Sequence, residues 1–296
     1  MNKLISNHIR YMIKRTYVTF SEGDNYQDMC NILVEGISKL SKYDILVYSS
    51  SDFDEIWDIE NWPYGYSYKF KIMSCLKALH DYDEVIWLDT DVVVTSDIDL
   101  LWEKKVDNYP LLPKYRFDNF IRWPQSKGDM RNHWELSEGK QKVGLNHTDF
   151  ENVYYQSCAM LMNRKCESFL KDVLSYFDDF DSLCFPFGDE TIINLLLWKY
   201  RHRNNLGDVF LCTHYFSTSH IIRVIDVDNP QAYQDLFNPN IIDPVEEGLL
   251  IGDIGDYRVH NRLGVIDCSK KPLFFHGSKS VDLHRYILNH IISKNI

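Results

Sequence analysis

Nowhere in the 296 residues does a continuous apolar run reach the length needed to cross a membrane. The opening segment, residues 1–15, has basic residues but lacks the apolar stretch of a signal peptide. A soluble, cytoplasmic protein without a membrane span is therefore expected. Positive charge is also in short supply, with 32 Lys and Arg against 43 Asp and Glu and a formal net charge of -11. Surfaces that hold a nucleic-acid backbone draw their affinity from clustered Lys and Arg, so that class of partner is excluded. Closely spaced Cys or His pairs of the structural-zinc kind are missing too. The seven cysteines (Cys30, Cys75, Cys158, Cys166, Cys184, Cys212, Cys268) are odd in number and far apart, mostly inside apolar segments. Reduced, buried thiols follow. Asn146-His147-Thr148 fits a glycosylation acceptor pattern, which is incidental without a secretion signal. No repeat and no linker divides the chain, so we expect a single α/β domain over 1–296 with an N-terminal lead at 1–15.

What is present is an acidic pair at the end of a buried strand. Asp89-Thr90-Asp91 follows the apolar run Val85-Ile86-Trp87-Leu88 and precedes Val92-Val93-Val94. Alternate residues of an extended chain point the same way, so both carboxylates can converge on one ion. With oxygen donors alone, that ion is Mg2+ or Mn2+.

Around this motif the periodicities alternate. Tyr17 to Phe20 reads as a strand. A helix follows with Met29, Ile32, Leu33, Ile37 and Leu40 at helical spacing, then a strand from Asp44 to Tyr48. An aromatic loop (Trp57, Trp62, Tyr64, Tyr66, Tyr68) leads to a helix over 69–80 and into the acidic strand. This β-α-β-α-β order predicts a Rossmann-like, mainly parallel central sheet flanked by helices. Residues 110–152, broken by Pro and Gly, read as a long functional loop region. Its aromatics (Tyr115, Phe117, Phe120, Trp123, Trp134), with His133, suit an acceptor surface as well as they suit pinning a loop to the body. Beyond it come a strand at 157–162, a helix with Cys166, Phe169, Leu170, Val173, Leu174 and Phe177 on one face, a helix at 189–200, and a strand at 209–212. The tail holds a strand at 273–275 and a closing helix from Val281.

Other acidic pairs compete. Asp97/Asp99 sits before Leu100-Leu101-Trp102 and reads as a helix cap. Asp226/Asp228 also has an apolar lead-in, but Asn229-Pro230 makes it a strand-ending turn. Asp89/Asp91 could simply end a strand. The carboxyl end of a parallel strand, however, is where such sheets bind ligands. A Mg2+-dependent phosphohydrolase would use the same pair with Asp89 as nucleophile, although that architecture normally opens a chain. A non-catalytic nucleotide- or carbohydrate-binding protein is the third reading.

Several separated segments together resemble glycosyltransferase family 8, the glycogenin-like retaining nucleotide-sugar transferases of GT-A fold. They are Tyr17-Val18-Thr19-Phe20 with Asn25-Tyr26, Lys69 or Lys71 on the next helix, and Val85 to Val92 around the acidic pair. Further along come the segments Tyr155 to Asn163, Gly188-Asp189-Glu190-Thr191-Ile192-Ile193-Asn194, and His276-Gly277-Ser278-Lys279. Gln156 stands where the family has Asn, Glu190 where Gln is common, and Ser280-Val281-Asp282 where it has Pro-Trp. The resemblance implies transfer of a sugar from a UDP-sugar to a hydroxyl of a glycan or protein acceptor, with retention of configuration. It implies Mn2+ or Mg2+ held by Asp89, Asp91 and His276, and donor-sugar contacts from Asp189, Glu190 and Gln156. The nucleotide side would be formed by Val18, Thr19, Phe20, Tyr26, Thr90 and Gly277, with Lys69, Lys71 and Lys279 near the phosphates. A homodimer is compatible with all of this.

Overall fold

The computed structural model describes residues 13–53, 66–114, 137–145, 155–177, 184–185, 188–207, 209–212, 225–226, 257–261, 264–267, 273–276 and 281–294. Several residues singled out above lie outside them: most of the lead, Trp57, Trp62, Tyr64, the aromatics and His133 of 115–136, Asn146 to Thr148, Cys268, Gly277 and Lys279.

Strand β1 (Arg15–Phe20) is followed by helix α1 (Asp24–Leu40), β2 (Ile45–Tyr48), α2 (Tyr66–Asp81) and β3 (Glu84–Leu88). Both β2 and β3 run parallel to β1, with Val18 level with Leu46 on one side and Trp87 on the other. The predicted β-α-β-α-β unit is therefore present. After β4 (Val92–Val94) and α3 (Ser137–Val143), β5 (Ala159–Asn163) completes this sheet antiparallel to β3, in the order β2-β1-β3-β5. Val85, Ile86, Trp87 and Leu88 are all buried, as a strand covered on both faces requires.

Helices α4 (Glu167–Ser175) and α5 (Asp189–Lys199) follow, then β6 (Phe210–Cys212), β7 (Ile225–Asp226), β8 (Tyr257–Asn261), β9 (Gly264–Asp267), β10 (Phe274–His276) and α6 (Val281–Lys294). A second sheet has the order β4-β10-β6, with β10 antiparallel to β4 and parallel to β6. Its register sets His276 opposite Val92, the residue after Asp91. Strands β7, β8 and β9 form a small antiparallel sheet; of the last two, periodicity gave no sign.

Four expectations need correction. Helix α2 begins at Tyr66 rather than Lys69, so Tyr66 and Tyr68 belong to the helix and not to the aromatic loop. The loop region contains α3, because Gly139 is not a break. There α3 presses on Cys184, whose carbonyl oxygen would lie 2.5 Å from an added Cβ, while Gly144, with φ +70°, ends the helix. His276 is the last residue of β10, not a residue beyond it. Finally, Asp99 does not act as a cap. The short 3-10 helix at Ile98–Glu103 has no side-chain cap, and Asp99 instead accepts from Tyr17 Oη (2.8 Å), Ser41 Oγ (2.7 Å) and the Lys42 amide (3.2 Å). Tyr17 Oη in turn accepts from Trp102 Nε1 at 3.0 Å.

Asp99→Ala strands these donors, and hydrogen bonds to charged groups contribute about 1.5–3 kcal/mol each. We expect a loss of about 2–3 kcal/mol in urea unfolding; a loss near 0.5 kcal/mol would mean that Asp99 acts only as a weak cap.

Candidate active site and metal centre

The β3–β4 turn and the end of β10 meet at one point. Asp89 closes β3, donating its amide to Cys158 carbonyl (2.9 Å), and its own carbonyl accepts from Val92 at 3.2 Å, which turns the chain into β4. His276 Nε2 lies 3.4 Å from Asp91 Oδ1 and 3.8 Å from Asp89 Oδ2. One ligand atom from each of the three residues falls within 4.8 Å of the others. Ligands about 2.0–2.2 Å from a common ion lie roughly 3–4.4 Å apart, so this donor set fits one divalent cation. The carboxylates keep side-chain exposures of 24% and 16%, while His276 has 4%, so the cluster opens on the carboxylate side.

Burial alone would lower the pKa of His276, yet Cys158 and Asp91 hold it well above the ordinary imidazole value. Burial pushes the Cys158 thiol up to about 11, so at neutral pH it carries no charge. Asp91 is thus what keeps the metal-free imidazole protonated.

Behind the Asp89, Asp91 and His276 cluster lies Lys71, with 7% side-chain exposure. Its ammonium sits 2.9 Å from Asp89 Oδ1 and 3.0 Å from Asp189 Oδ2, and donates to Ser157 Oγ (3.1 Å) and Ser157 carbonyl (3.3 Å). Burial would strip its proton, but Asp189 and Asp89 overcome this and raise its pKa. Asp89 Oδ1 also accepts from Trp87 Nε1 at 2.7 Å, which fixes the carboxylate so that Oδ2 faces His276. Of the three aspartates, Asp89 and Asp189 share the Lys71 ammonium, while Asp91 faces His276. Asp189, at 1% exposure, is the carboxylate whose pKa burial raises.

Asp189 and Glu190 open α5, where carboxylates suit the helix dipole. The two part company at once: Asp189 turns inward to Lys71, while half-buried Glu190 accepts the Ser157 amide at 3.0 Å. One turn on, Asn194 accepts from the Tyr155 amide (2.8 Å) and donates to Tyr155 carbonyl (2.8 Å) and Glu190 carbonyl (2.8 Å). This clamps the start of α5 to the segment leading into β5. Gln156 stands between the two clamped residues, its amide on Pro113 carbonyl at 3.0 Å.

Among the residues that the resemblance assigns to the nucleotide, Tyr26 is 45% exposed on the first turn of α1, past the end of β1. Val18 is wholly in the core, so only its backbone can face a ligand, and Phe20 stacks on Phe70 at 5.0 Å. Thr19 Oγ1 is buried without a hydrogen-bond partner among the described residues. Thr90 is buried between the two carboxylates. Lys69 is buried two residues from Lys71 on α2, a spacing that puts it on another face, so the structure separates a pair left open by sequence. Trp87 and Ser157 lie inside segments that carry the resemblance but were given no role, and Tyr68 lies outside them; the signal for Trp87 was its place two residues before Asp89 on the same strand face.

Among solved structures the chain is similar to the apo form of the bifunctional glycosyltransferase WbbM, with 17% identity over 90% of this chain and 46% of that one and a TM-score of 0.51. It also matches a glycosyltransferase involved in the glycosylation of the major capsid of PBCV-1 (10% identity, 93% and 99% coverage, TM-score 0.47). A third match is apo GlyE of Streptococcus pneumoniae TIGR4 (12% identity, 95% and 62% coverage, TM-score 0.46). The chain thus spans about half the length of WbbM and under two thirds of GlyE. No family model and no curated protein sequence matches the chain. The sheet topology and the WbbM likeness identify the fold as a GT-A-like α/β fold, with a mainly parallel central sheet flanked by helices.

Lys71→Met would leave buried Asp189 and half-buried Asp89 without their common partner, at a cost of about 3–5 kcal/mol. An acid whose folded pKa is raised is destabilising above its unfolded pKa and is relieved by protonation. The deficit in urea unfolding should therefore be smaller at pH 5 than at pH 8, as Asp189 takes up a proton.

Proposed function

We propose that this chain is a metal-dependent glycosyltransferase that moves a sugar from a nucleotide-sugar donor, a UDP-sugar, to a hydroxyl of a glycan or protein acceptor with retention of configuration. The observation that carries this is the Asp89, Asp91 and His276 cluster at the carboxyl end of β3, backed by Lys71 and Asp189. A sheet of this kind binds ligands at that end, and a nucleoside diphosphate leaving group needs positive charge there. When bound, Mn2+ or Mg2+ supplies part of that charge. An imidazole ligand beside two carboxylates favours Mn2+.

The chain's own residues divide the remaining work. The exposed ring of Tyr26 stacks on the uracil, with the backbone of Val18 and Thr19 and the ring of Phe20 behind it. Glu190, the more open of the α5 carboxylates, accepts hydrogen bonds from the donor sugar together with Gln156. Asp189 acts through Lys71 by holding the ammonium that orients Asp89. Lys279 and Gly277 follow His276 closely enough in sequence to meet the phosphates, and residues 110–152 receive the acceptor.

Calorimetry with UDP and Mn2+ tests the assignment. Wild-type protein should bind the pair together, and Asp91→Asn should lose the metal-dependent part and about 10²–10³-fold in donor turnover. Equal binding by both proteins would remove the role of Asp91. Phosphate release from an aryl phosphate, abolished in Asp89→Asn, would favour a phosphohydrolase instead. NMR of the fresh product should show the anomer of the donor; the opposite anomer would contradict retention.

Metal binding should also release a proton. Because Asp91 holds metal-free His276 protonated, the imidazole must lose that proton to become a ligand. Mn2+ affinity should rise with pH up to the folded pKa of His276, and the binding enthalpy should change with the ionisation enthalpy of the buffer.

A further inference from the structure

Tyr68 is the residue of this site to which no motif points. It lies on the first turn of α2, three residues before Lys71, and so on the same face one turn closer to the carboxyl end of the sheet. The first turn of α5 comes up against it. An added Cβ on Gly188 would lie 2.2 Å from Tyr68 Cδ2, 2.8 Å from Cε2 and 2.9 Å from Cγ. The Cδ2 side of the ring therefore packs directly against Gly188, immediately before Asp189. Gly188 has φ +54°, so position 188 demands glycine both for its backbone conformation and for the room it leaves the ring. Tyr68 is part-buried against the core, and burial followed by the charge of Asp189 pushes its phenol up to about 12, so the hydroxyl stays protonated at working pH.

These contacts give the site two walls of different kinds. One is the open metal cluster. The other is an aromatic ring on the first turn of α2, packed against Gly188 at the start of α5 and within electrostatic reach of Asp189, Lys71 and Glu190. The Tyr68 phenol is near enough to Asp189, Lys71, Asp89 and Glu190 to feel the charge of each, and Gly188 packs directly against its ring.

We propose that Tyr68 is a specificity-determining residue: its ring, seated on Gly188, bounds the space next to Glu190 and limits the size of the sugar substituent that fits there. This rests on the nucleotide-sugar reading above. Trimming the ring enlarges that space without touching the metal ligands or the base side, so it alters the ranking of donors rather than nucleotide binding as such. A hydrophobic pocket discriminates one or a few added heavy atoms by roughly 10–200-fold.

The test measures, by calorimetry with Mn2+, the affinities of full-length protein for UDP, a UDP-hexose and the corresponding UDP-N-acetylhexosamine. Wild-type, Tyr68→Ala and Tyr68→Leu are compared, the Leu variant keeping apolar bulk in case the Ala variant does not unfold cooperatively. The expected result is a shift of at least fivefold in the ratio of the two donor affinities in either variant, toward the larger sugar, with UDP affinity within twofold of wild type. A smaller shift, or a fall in UDP affinity that matches the fall for both donors, would overturn the assignment of Tyr68 while leaving the transferase reading intact. Failure of wild-type protein to bind UDP or either donor would overturn the transferase reading, and this proposal with it.

Discussion

A lysine ammonium taken out of water must be met by opposite charge and by enough acceptors to replace its hydration. Lys71 is met by Asp89, Asp189 and Ser157, and meeting it constrains three elements at once: α2 carries the lysine, β3 ends in Asp89, and α5 begins with Asp189. Four oxygens share three ammonium hydrogens, so the arrangement tolerates little displacement. Asn194 and Glu190 then lock α5 to the segment that runs into β5, whose ladder with β3 returns to Asp89. The circuit closes on itself.

The metal cluster is built from both sheets. The turn after Asp89 sends the chain from the central sheet into β4, and β10 delivers His276 level with Val92. Trp87 and Lys71 occupy one oxygen of Asp89 and leave the other facing His276. The ordering of one carboxylate thus passes from a buried ion pair, through a hydrogen bond, to the open cluster. The same arrangement divides two adjacent acids, Asp189 inward to the lysine and Glu190 toward the Ser157 amide.

Much of this was legible in the residues. The helix and strand periods placed α1, α2, β3, α4, α5 and α6 close to their observed ends, because each carries a run or spacing of apolar residues that the core buries. Asp89, Asp91 and His276, far apart in sequence, do come together. What could not be read depends on tertiary contact. Asp99 looked like a cap because its partners Tyr17 and Ser41 are 82 and 58 residues away. Gly139 looked like a break because the backbone it makes room for belongs to Cys184. Lys69 and Lys71 were equivalent until the face of α2 that meets Asp189 was known. Strand β8 pairs with β9 on one side and with the two-residue β7 on the other, and no long apolar run announces either β8 or β9.

Under the proposed function, Asp89, Asp91 and His276 hold one divalent ion. Electron-nuclear double resonance on Mn2+-loaded protein, with histidine labelled with 15N, reads this directly. One bound Mn2+ per chain is expected, with nitrogen coupling that changes with the label and disappears in His276→Gln. Tight Mn2+ binding without nitrogen coupling, or coupling that survives in His276→Gln, would contradict it.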